Sequence, residues 1–587
     1  MLDNGRELDT SEPLISKRTY DVEVAIRTRR EGITKESSQV PILDVGPKRD
    51  RKIWVVLCPI VDDDDSEVGV TVNQRFDSLV LPLTGDSSSN ASFRVSARLR
   101  SGASVATFSL SFALYSRLDL IDNIVLQMTV ANSAAVVVPQ PATRFVQRRP
   151  DGTTIGFFGQ RQSRRVTISV DQTTPGAFQF AVVAGTHGVP SVYATRTLSA
   201  DMLNGFVSEF RTILVDAVFG PSLKAGKMAD SERDKILGQM NQLGRRMFNV
   251  LFDIEQGGGD MAALGEMLRG GLTDGDIIQI SLLRGATDFV FPWQILTVND
   301  NFRDDKAADF YNLWGSRYSI EVKRCAEGGD LRPPVEATRL LPSFYYGRFG
   351  FKNEPAHFAK ILATAEKALV HHLQPVIESR DELVPALLKS AKLFYFYAHG
   401  YSAAPATPAG MKLREHVVAK AQQIDEQIRL AQLAGLDASD DSLWAMSYRQ
   451  FLDTTATDPD SHLRFARGKV TLAELTSYRD PESNKLIRLS NAPVVFLNTC
   501  QSAQVWNALD GSFVGFFLKR GASSVIGTES TIPISFAEPF ANEVLNTIFN
   551  GPSVGEAVRQ ARLALMASHN NPLGLSYTVY GAADAKA

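Results

Sequence analysis

Residues 494–503 read VVFLNTCQSA, and this stretch decides how the rest of the sequence is interpreted. Its first residues are apolar and β-prone, so they predict a buried strand that ends at Asn498, Thr499 and Cys500. Small and polar residues follow, with a composition that suits a helix. The chain has three cysteines, and one of them is therefore expected at the end of a core strand rather than in its middle.

A second predicted strand ends in a similar way. Residues 393–400 read LFYFYAHG, so an apolar strand leads directly to His399 and Gly400. From about residue 275 onward, apolar strands alternate with amphipathic helices, which is typical of a mainly parallel sheet with helices on both faces. Ligands and chemistry gather at the carboxyl ends of such strands. If the two strands are neighbours, His399 and Cys500 meet at one edge of the sheet.

The residue types at this edge suit nucleophilic catalysis. A helix starting after Cys500 would lower the pKa of the thiol, because helix N-termini favour anions. The imidazole of His399 would stabilise the thiolate or protonate a leaving amine. Gly400 has no Cβ, so its N–H and that of Cys500 can bind an oxyanion. A lone buried cysteine is more often a small apolar residue, but the two strand ends together favour catalysis.

Length and composition limit the remaining possibilities. The chain has 587 residues, which predicts several domains, and its formal net charge is −3. A net charge this close to zero does not indicate a protein that binds nucleic acid. Charged residues interrupt the most apolar long stretch, residues 108–126, so we expect no membrane span. The polar N-terminus indicates no signal peptide, and together with few cysteines it predicts a cytoplasmic protein.

The remaining cysteines and histidines carry no ligand pattern. Cys58 and Cys325 are far apart in sequence, no CxxC occurs, and no HExxH spacing is present. We therefore expect no disulfide framework, no metal and no cofactor.

The sequence is β-rich before about residue 200 and mixed after it. Residues 1–45 are predicted to be a weakly ordered extension with an early strand. Residues 46–140 predict a β-sandwich-like module, because short alternating strands are separated by turns, and residues 141–200 a β-rich connection. Residues 200–587 form the predicted α/β domain. Within it, a helical insertion at about 401–465 is expected to gate the cleft.

Several segments together resemble a known family. FYAHG, followed later by VVFLNTCQSA, is similar to the CHAT domain, a caspase-like cysteine peptidase family in the clan of caspases, separases and metacaspases. FVFPWQIL at 289–296 resembles the family's Pro-Trp-Glu-Leu-Leu segment, and LWGSRYSIE at 313–321 resembles the strand after it. FLKRGASSVIGT and SVGEAVRQARLAL are similar to the segments that follow the cysteine. The resemblance covers roughly residues 200–587.

This resemblance implies a caspase-like fold and a cysteine endopeptidase. Cys500 would be the nucleophile, His399 its partner, and Gly400 part of the oxyanion hole. A protein substrate would be cleaved through a thioester acyl-enzyme, under control of a partner or signal, in a bacterial defence or cell-death pathway. The resemblance does not extend to the first 150 residues. Because a soluble protease needs restraint, we expect a regulatory protein partner to bind through the N-terminal β module.

At the expected substrate pocket, this sequence differs from the proteases that it resembles. Metacaspases and legumains carry an Asp two residues before the cysteine for a basic P1 side chain, and this chain has Asn498 there. Asn498 is a candidate pocket residue but supplies no charge there. Glu529, Asp510 or an acid from the insertion would replace the missing charge, and the sequence does not decide among them. Family members often have a Trp after the Gly-Thr of the next strand, where this chain reads GTESTIPIS.

Two other function classes stay open. One is a catalytically silent scaffold with the same fold, in which the β module binds a partner; the intact pair His399 and Cys500 argues against it. The other is a thiol-dependent esterase or acyltransferase. The GxSxG pattern occurs at GPSVG, residues 551–555, but there it lies between two predicted amphipathic helices and not after a strand, as a nucleophile elbow requires, which weakens that reading.

Overall fold

The structure is a computed structural model. It describes residues 2–3, 6–7, 12–26, 51–60, 67–82, 87–100, 102–133, 143–148, 162–174, 176–219, 226–254, 259–283, 286, 289–297, 310–324, 343–349, 354–401, 408–433, 461–479, 484, 486–500 and 512–586. Two units divide the chain. The first comprises Met1–Ser169, Ala181–Ala194 and Arg324–Pro333, and the second comprises Val170–Phe180, Thr195–Lys323 and Pro334–Ala587. None of the helices in the described ranges is both long and apolar enough to cross a membrane.

Two sheets form the first unit. Their strands are β1 (Leu2–Asp3), β2 (Arg6–Glu7), β3 (Leu14–Ile15), β4 (Thr19–Val24), β5 (Arg51–Ile60), β6 (Val68–Val72), β7 (Phe76–Leu81), β8 (Ala91–Leu99), β9 (Val105–Ser116), β10 (Asp119–Ala131) and β11 (Thr143–Arg148). One sheet has the order β2-β1-β4-β8-β6, and the other has the order β11-β10-β9-β5-β7. Short β3 is parallel to β10, whereas β9 is antiparallel to both β10 and β5.

Residues of both sheets contribute to one hydrophobic cluster. Phe93 from β8 and Phe112 from β9 belong to it, and their rings meet edge to face with centroids 6.2 Å apart. Along β8, alternate side chains are buried and exposed, as the two-residue period of a strand with one buried face requires. The period-two pattern of the sequence is thereby explained, and the sandwich-like class of this unit stays a prediction.

Three further strands follow in the segment that was expected to be β-rich. They are β12 (Val166–Thr174), β13 (Ala177–Thr186) and β14 (Val189–Ser199). Their residues are divided between the two units.

A mainly parallel sheet forms the centre of the second unit. Its strands are β15 (Ile277–Leu282), β16 (Ser319–Arg324), β17 (Ser343–Arg348), β18 (His371–His372), β19 (Leu393–Tyr401), β20 (His462–Phe465), β21 (Gly468–Thr471), β22 (Val494–Thr499), β23 (Ser524–Thr528) and β24 (Tyr577–Gly581). The order from β15 is β15-β16-β24-β23-β22-β19-β17-β18. Neighbours from β23 to β18 run parallel, and β24 is antiparallel to β23.

Helices accompany this sheet along the chain. They are α1 (Ala200–Val218), α2 (Asp230–Phe252), α3 (Asp260–Gly271), α4 (Trp314–Arg317), α5 (Glu354–Lys367), α6 (Arg380–Leu388), α7 (Pro408–Leu433), α8 (Leu472–Ser477), α9 (Phe513–Lys519), α10 (Ile534–Phe549) and α11 (Val554–His569), with 3-10 turns at Trp293–Ile295 and Pro572–Ser576. Side-chain caps begin several of them: Ser199 accepts from the Met202 amide, and Ser512 accepts from the Gly515 amide. The predicted α/β architecture is confirmed for this unit.

The central strands are buried along their whole length. Every residue of β22, β23 and β24 is buried, so side chains on both faces of these strands are shielded from water. This explains why VVFLNT shows a continuous apolar run rather than alternation.

The predicted insertion is partly helical and partly β. Helix α7 spans 26 residues, which confirms the helix expected there. The segment then returns as a hairpin of β20 and β21, and β20 pairs antiparallel with the end of β19. The hairpin was not predicted, because its two strands have four residues each and carry too little periodicity to be recognised.

Candidate active site

The two strand ends that the sequence singled out are neighbours. β19 and β22 run parallel, with Tyr397 opposite Asn498 and Ala398 opposite Thr499. His399 and Cys500 are the next positions along the two strands, so their backbones lie together at the carboxyl edge of the sheet. The side chain of His399 is outside the described residues.

Gly400 brings the two strand ends into close contact. A Cβ built at this residue would lie 2.2 Å from the carbonyl oxygen of Cys500 and 2.9 Å from Oγ1 of Thr499. Any side chain would therefore push the backbone of β19 away from Cys500. The glycine is required by the packing, apart from any part it has in chemistry.

The Cys500 thiol is buried in this structure. The residue is 6% exposed, and its Sγ donates a hydrogen bond to the carbonyl oxygen of Ile532 at 3.7 Å. Burial raises the pKa of the thiol to about 11, and the hydrogen bonds of the Ile532 and Cys500 backbones only partly oppose this. The expectation of a lowered pKa is therefore wrong for this state, since loss of water outweighs the favourable contacts.

Glu529, a candidate for binding a basic substrate side chain, lies close to this edge but is already paired. It directly follows β23, and its Oε2 is 3.5 Å from Nη2 of Arg211 on α1. The Tyr580 hydroxyl donates to its Oε1 at 2.6 Å. Because Arg211 neutralises the carboxylate in a buried position, the structure does not leave Glu529 open to a substrate cation.

Asn498 points into the core rather than toward a cleft. Its Nδ2 donates to the Tyr395 hydroxyl at 3.0 Å and to the Ala537 carbonyl at 3.1 Å. Its Oδ1 accepts from the Tyr577 hydroxyl at 2.6 Å. The Asn498 amide thus makes three hydrogen bonds to buried groups of the protein, and its place in a substrate pocket stays a prediction. Asp510, the third pocket candidate, lies outside the described residues.

The same network contains a histidine that the sequence did not single out. Nε2 of His357, on α5, is 2.9 Å from the Tyr395 hydroxyl. Burial, assisted by Lys360, lowers the pKa of His357 to about 3, so its imidazole is neutral at physiological pH. No local pattern could have revealed this role, because the residues of the network come from five different elements.

The described residues contain no candidate metal-binding site. No group of three or more His, Cys, Asp or Glu side chains among them is placed to hold a metal ion.

Comparison with known families identifies the segment that carries both strand ends. Residues 348–577 match the CHAT domain family. This segment is a CHAT domain. The match contains the ends of β19 and β22 and confirms the resemblance there. It begins after FVFPWQIL and LWGSRYSIE, although the resemblance was expected to start at about residue 200.

One relative has a protease name. A probable protease of Vitiosangium sp. (strain GDMCC 1.1324) is 38% identical over 87 residues, which are 14% of this chain and 11% of that protein. The match therefore spans about a tenth of that relative's length.

Two solved cysteine proteases are similar to the chain at low level. The separase–securin complex of Saccharomyces cerevisiae has a TM-score of 0.35 and 12% identity, over 71% of this chain and 30% of that one. Gingipain R of Porphyromonas gingivalis has a TM-score of 0.30 and 10% identity, over 66% of this chain and 76% of that one. Similarity this low assigns neither substrate nor activity.

Proposed function

We propose that this chain is a cysteine endopeptidase in which Cys500 is the nucleophile and His399 its general acid–base partner. The observation that supports this most is the register of β19 and β22, which sets positions 399 and 500 side by side at the carboxyl edge of the sheet. The CHAT domain match over the same segment supports it independently. The protease name of the Vitiosangium relative agrees with it.

The proposed reaction has two halves. The Cys500 thiolate attacks the substrate carbonyl carbon, forming a C–S bond, while the N–H groups of Gly400 and Cys500 bind the developing oxyanion. The C–N bond then breaks as His399 gives its proton to the departing amine. In the second half, His399 accepts a proton from water and the resulting hydroxide attacks the thioester carbon. The C–S bond then breaks, the new carboxyl group leaves, and His399 returns the proton to the Cys500 thiolate.

The buried thiol makes activation part of the proposal. A neutral Cys500 with a pKa of about 11 is a poor nucleophile at physiological pH. We propose that a protein partner or another signal rearranges the site, and that the N-terminal β unit receives the partner. The substrate is a cytoplasmic protein, and the pathway is bacterial defence or cell death, as the resemblance implies.

In this proposal, the preferred P1 side chain differs from that of metacaspases. Asn498 and Glu529 are both held by buried partners. The P1 side chain would therefore contact other groups, and a basic residue at P1 has no special advantage from these two.

A silent scaffold is the second candidate, and the burial of Cys500 favours it. In a scaffold the thiol would stay protected under every condition, and partner binding would be the whole function. The two candidates differ in one measurable property, because only the peptidase needs Cys500 for a covalent step.

The proposal is tested by searching for new protein N-termini. Wild type and Cys500→Ala would be produced in the same bacterial cells under phage, heat and starvation stress, with Cys58→Ala as the matched cysteine control. We expect new termini with wild type and Cys58→Ala, and their loss with Cys500→Ala. Termini that persist in Cys500→Ala, or none under any stress, would contradict the peptidase and favour the scaffold.

A further inference from the structure

A short segment lies over the sulfur of Cys500. Residues 529–533 join β23 to α10, and the Ile532 carbonyl accepts the thiol hydrogen bond at 3.7 Å. Thr531 is 2% exposed and Ile532 4% exposed. The segment is therefore packed into the protein, with its Ile532 carbonyl in contact with the thiol.

A charged cluster holds the beginning of this segment. Glu529 contacts Arg211 of α1 and accepts from Tyr580 of β24. Burial raises the pKa of Glu529 and lowers that of Arg211, and each charge opposes the shift of the other. A buried ion pair is hard to break by removing one partner, because the remaining charge is left without compensation. The cluster therefore fixes the start of the segment to helix α1 through Arg211 and to strand β24 through Tyr580.

Helix α1 also contacts the insertion. Asp216, five residues after Arg211, is 3.1 Å from Nε2 of His416 and 3.0 Å from Nζ of Lys420, both on α7. One helix therefore contacts both the insertion and the residue that anchors the segment over the thiol.

We propose that residues 529–533 are an inhibitory strap over Cys500 and that Arg211 is the positioning residue that latches it through Glu529. This regulation rests on the proposed peptidase function. A signal that moves α1 separates Arg211 from Glu529, the strap leaves the thiol, and water and substrate reach Sγ. The contact of α7 with α1 offers the insertion as the route by which a partner acts.

The test measures access to the thiol rather than proteolysis. The double variant Arg211→Met with Glu529→Gln removes both charges of the latch, so neither is left unpaired. Its matched control is Arg559→Met with Glu556→Gln, which removes the ion pair on α11 that has an N–O distance of 2.7 Å. Iodoacetamide alkylation of Cys500 is followed by peptide mass spectrometry, with Cys58 as the internal reference.

We expect the latch variant to alkylate Cys500 about tenfold faster than wild type, since a charge-assisted contact is worth roughly one such factor. The control variant and the Cys58 rate should not change. A Cys500 rate equal to that of wild type in a latch variant that melts cooperatively would overturn the strap.

Tyr580→Phe keeps the test decisive if the double variant does not fold. It removes one hydroxyl donor to Glu529 and preserves the ring, so we expect a Cys500 reaction faster by about threefold or more, because a hydrogen bond to a charged carboxylate is lost. An unchanged rate in Tyr580→Phe would overturn the proposal in that case.

A peptidase assay on the same variants separates the two hypotheses. Faster alkylation with no Cys500-dependent cleavage would keep the strap and reject the endopeptidase. Cleavage by stressed wild type with no effect of the latch variants on alkylation would keep the endopeptidase and reject the strap.

Discussion

Cys58 and Cys500 are two thiols of one chain in very different settings. Cys58 lies within β5, opposite Ser111 in an antiparallel sheet, and Cys500 follows the last residue of a parallel strand. Burial raises the pKa of both thiols. The contact with Tyr193 lowers the pKa of Cys58 by less than burial raises it.

The comparison teaches that a thiol pKa does not by itself mark a nucleophile. Within β5, Cys58 pairs with Ser111 of β9, and the strand continues past it to Ile60, so the backbone of Cys58 is committed to the sheet. Cys500 lies beyond the pairing of β22, next to a glycine and a histidine of the adjacent strand. Position in the sheet, and the possibility of uncovering the sulfur, distinguish the second thiol from the first.

The largest expected effect separates the two cysteines directly. Cys500→Ala should reduce the cleavage rate of a substrate at least about a thousandfold, because it removes the nucleophile. Cys58→Ala should leave the rate within about twofold, since surface or structural changes away from the chemistry have small effects. Initial rates on a substrate identified from its new N-terminus would check both, and equal losses would break the comparison.

The second effect concerns the glycine beside Cys500. Gly400→Ala should lower the cleavage rate about a hundredfold, because the added Cβ would meet the Cys500 carbonyl at 2.2 Å and displace the reacting groups. Gly238→Ala on α2 is the control, since a Cβ there meets nothing within 4 Å. The same rate assay applies, and an active Gly400→Ala enzyme would show that the two strand ends tolerate separation.

The third effect is the pH dependence of the resting thiol. Burial raises the pKa of Cys500 to about 11, so the folded chain favours the neutral thiol. The stability that comes from burying it is fully present below the ordinary thiol pKa of about 8.5 and is lost as pH rises through about 11.

Alkylation kinetics measure this shift. In the folded chain the Cys500 rate should still increase with pH beyond 10, whereas in urea it should level off near the ordinary thiol pKa of about 8.5. A folded-state rate that levels off below pH 9 would mean that the thiol is not desolvated as described.

The smallest effect compares the tyrosines next to the two sites. Tyr577→Phe leaves Oδ1 of Asn498 without its 2.6 Å donor and should cost about 1–2 kcal/mol of unfolding free energy. It should also slow cleavage modestly, because Asn498 anchors the strand that carries Cys500. Tyr193→Phe, beside Cys58, should leave cleavage unchanged. Urea unfolding and the rate assay would check both, and equal cleavage in the two variants would remove Asn498 from the site's support.

The strands that position the site could be predicted from the sequence because their signals are local. LFYFYAHG and VVFLNTC became β19 and β22 with nearly the expected ends. Apolar runs of this length between predicted helices are typical of the buried strands of a parallel sheet. The adjacency of residues 399 and 500 then followed from the rule about strand ends.

Other features could not be predicted, since they depend on residues distant in sequence. Arg211 reaches Glu529, and Tyr577 reaches Asn498, only because the sheet brings their elements together. The helix-terminus reasoning for the thiol pKa considered the residues after Cys500, while the decisive contact comes from Ile532. Side-chain direction on β22 was also undetermined, because a strand buried on both faces shows no alternation.

The most direct test of the central claim is covalent trapping of the nucleophile. A mixture of peptidyl acyloxymethyl ketones with varied P1 side chains would be applied to stressed cells that produce the full chain, followed by peptide mass spectrometry. The account predicts an adduct on Cys500 that falls about a hundredfold or more in His399→Ala, as loss of a general acid–base partner implies. No adduct on Cys500, or one that His399→Ala does not diminish, would contradict it.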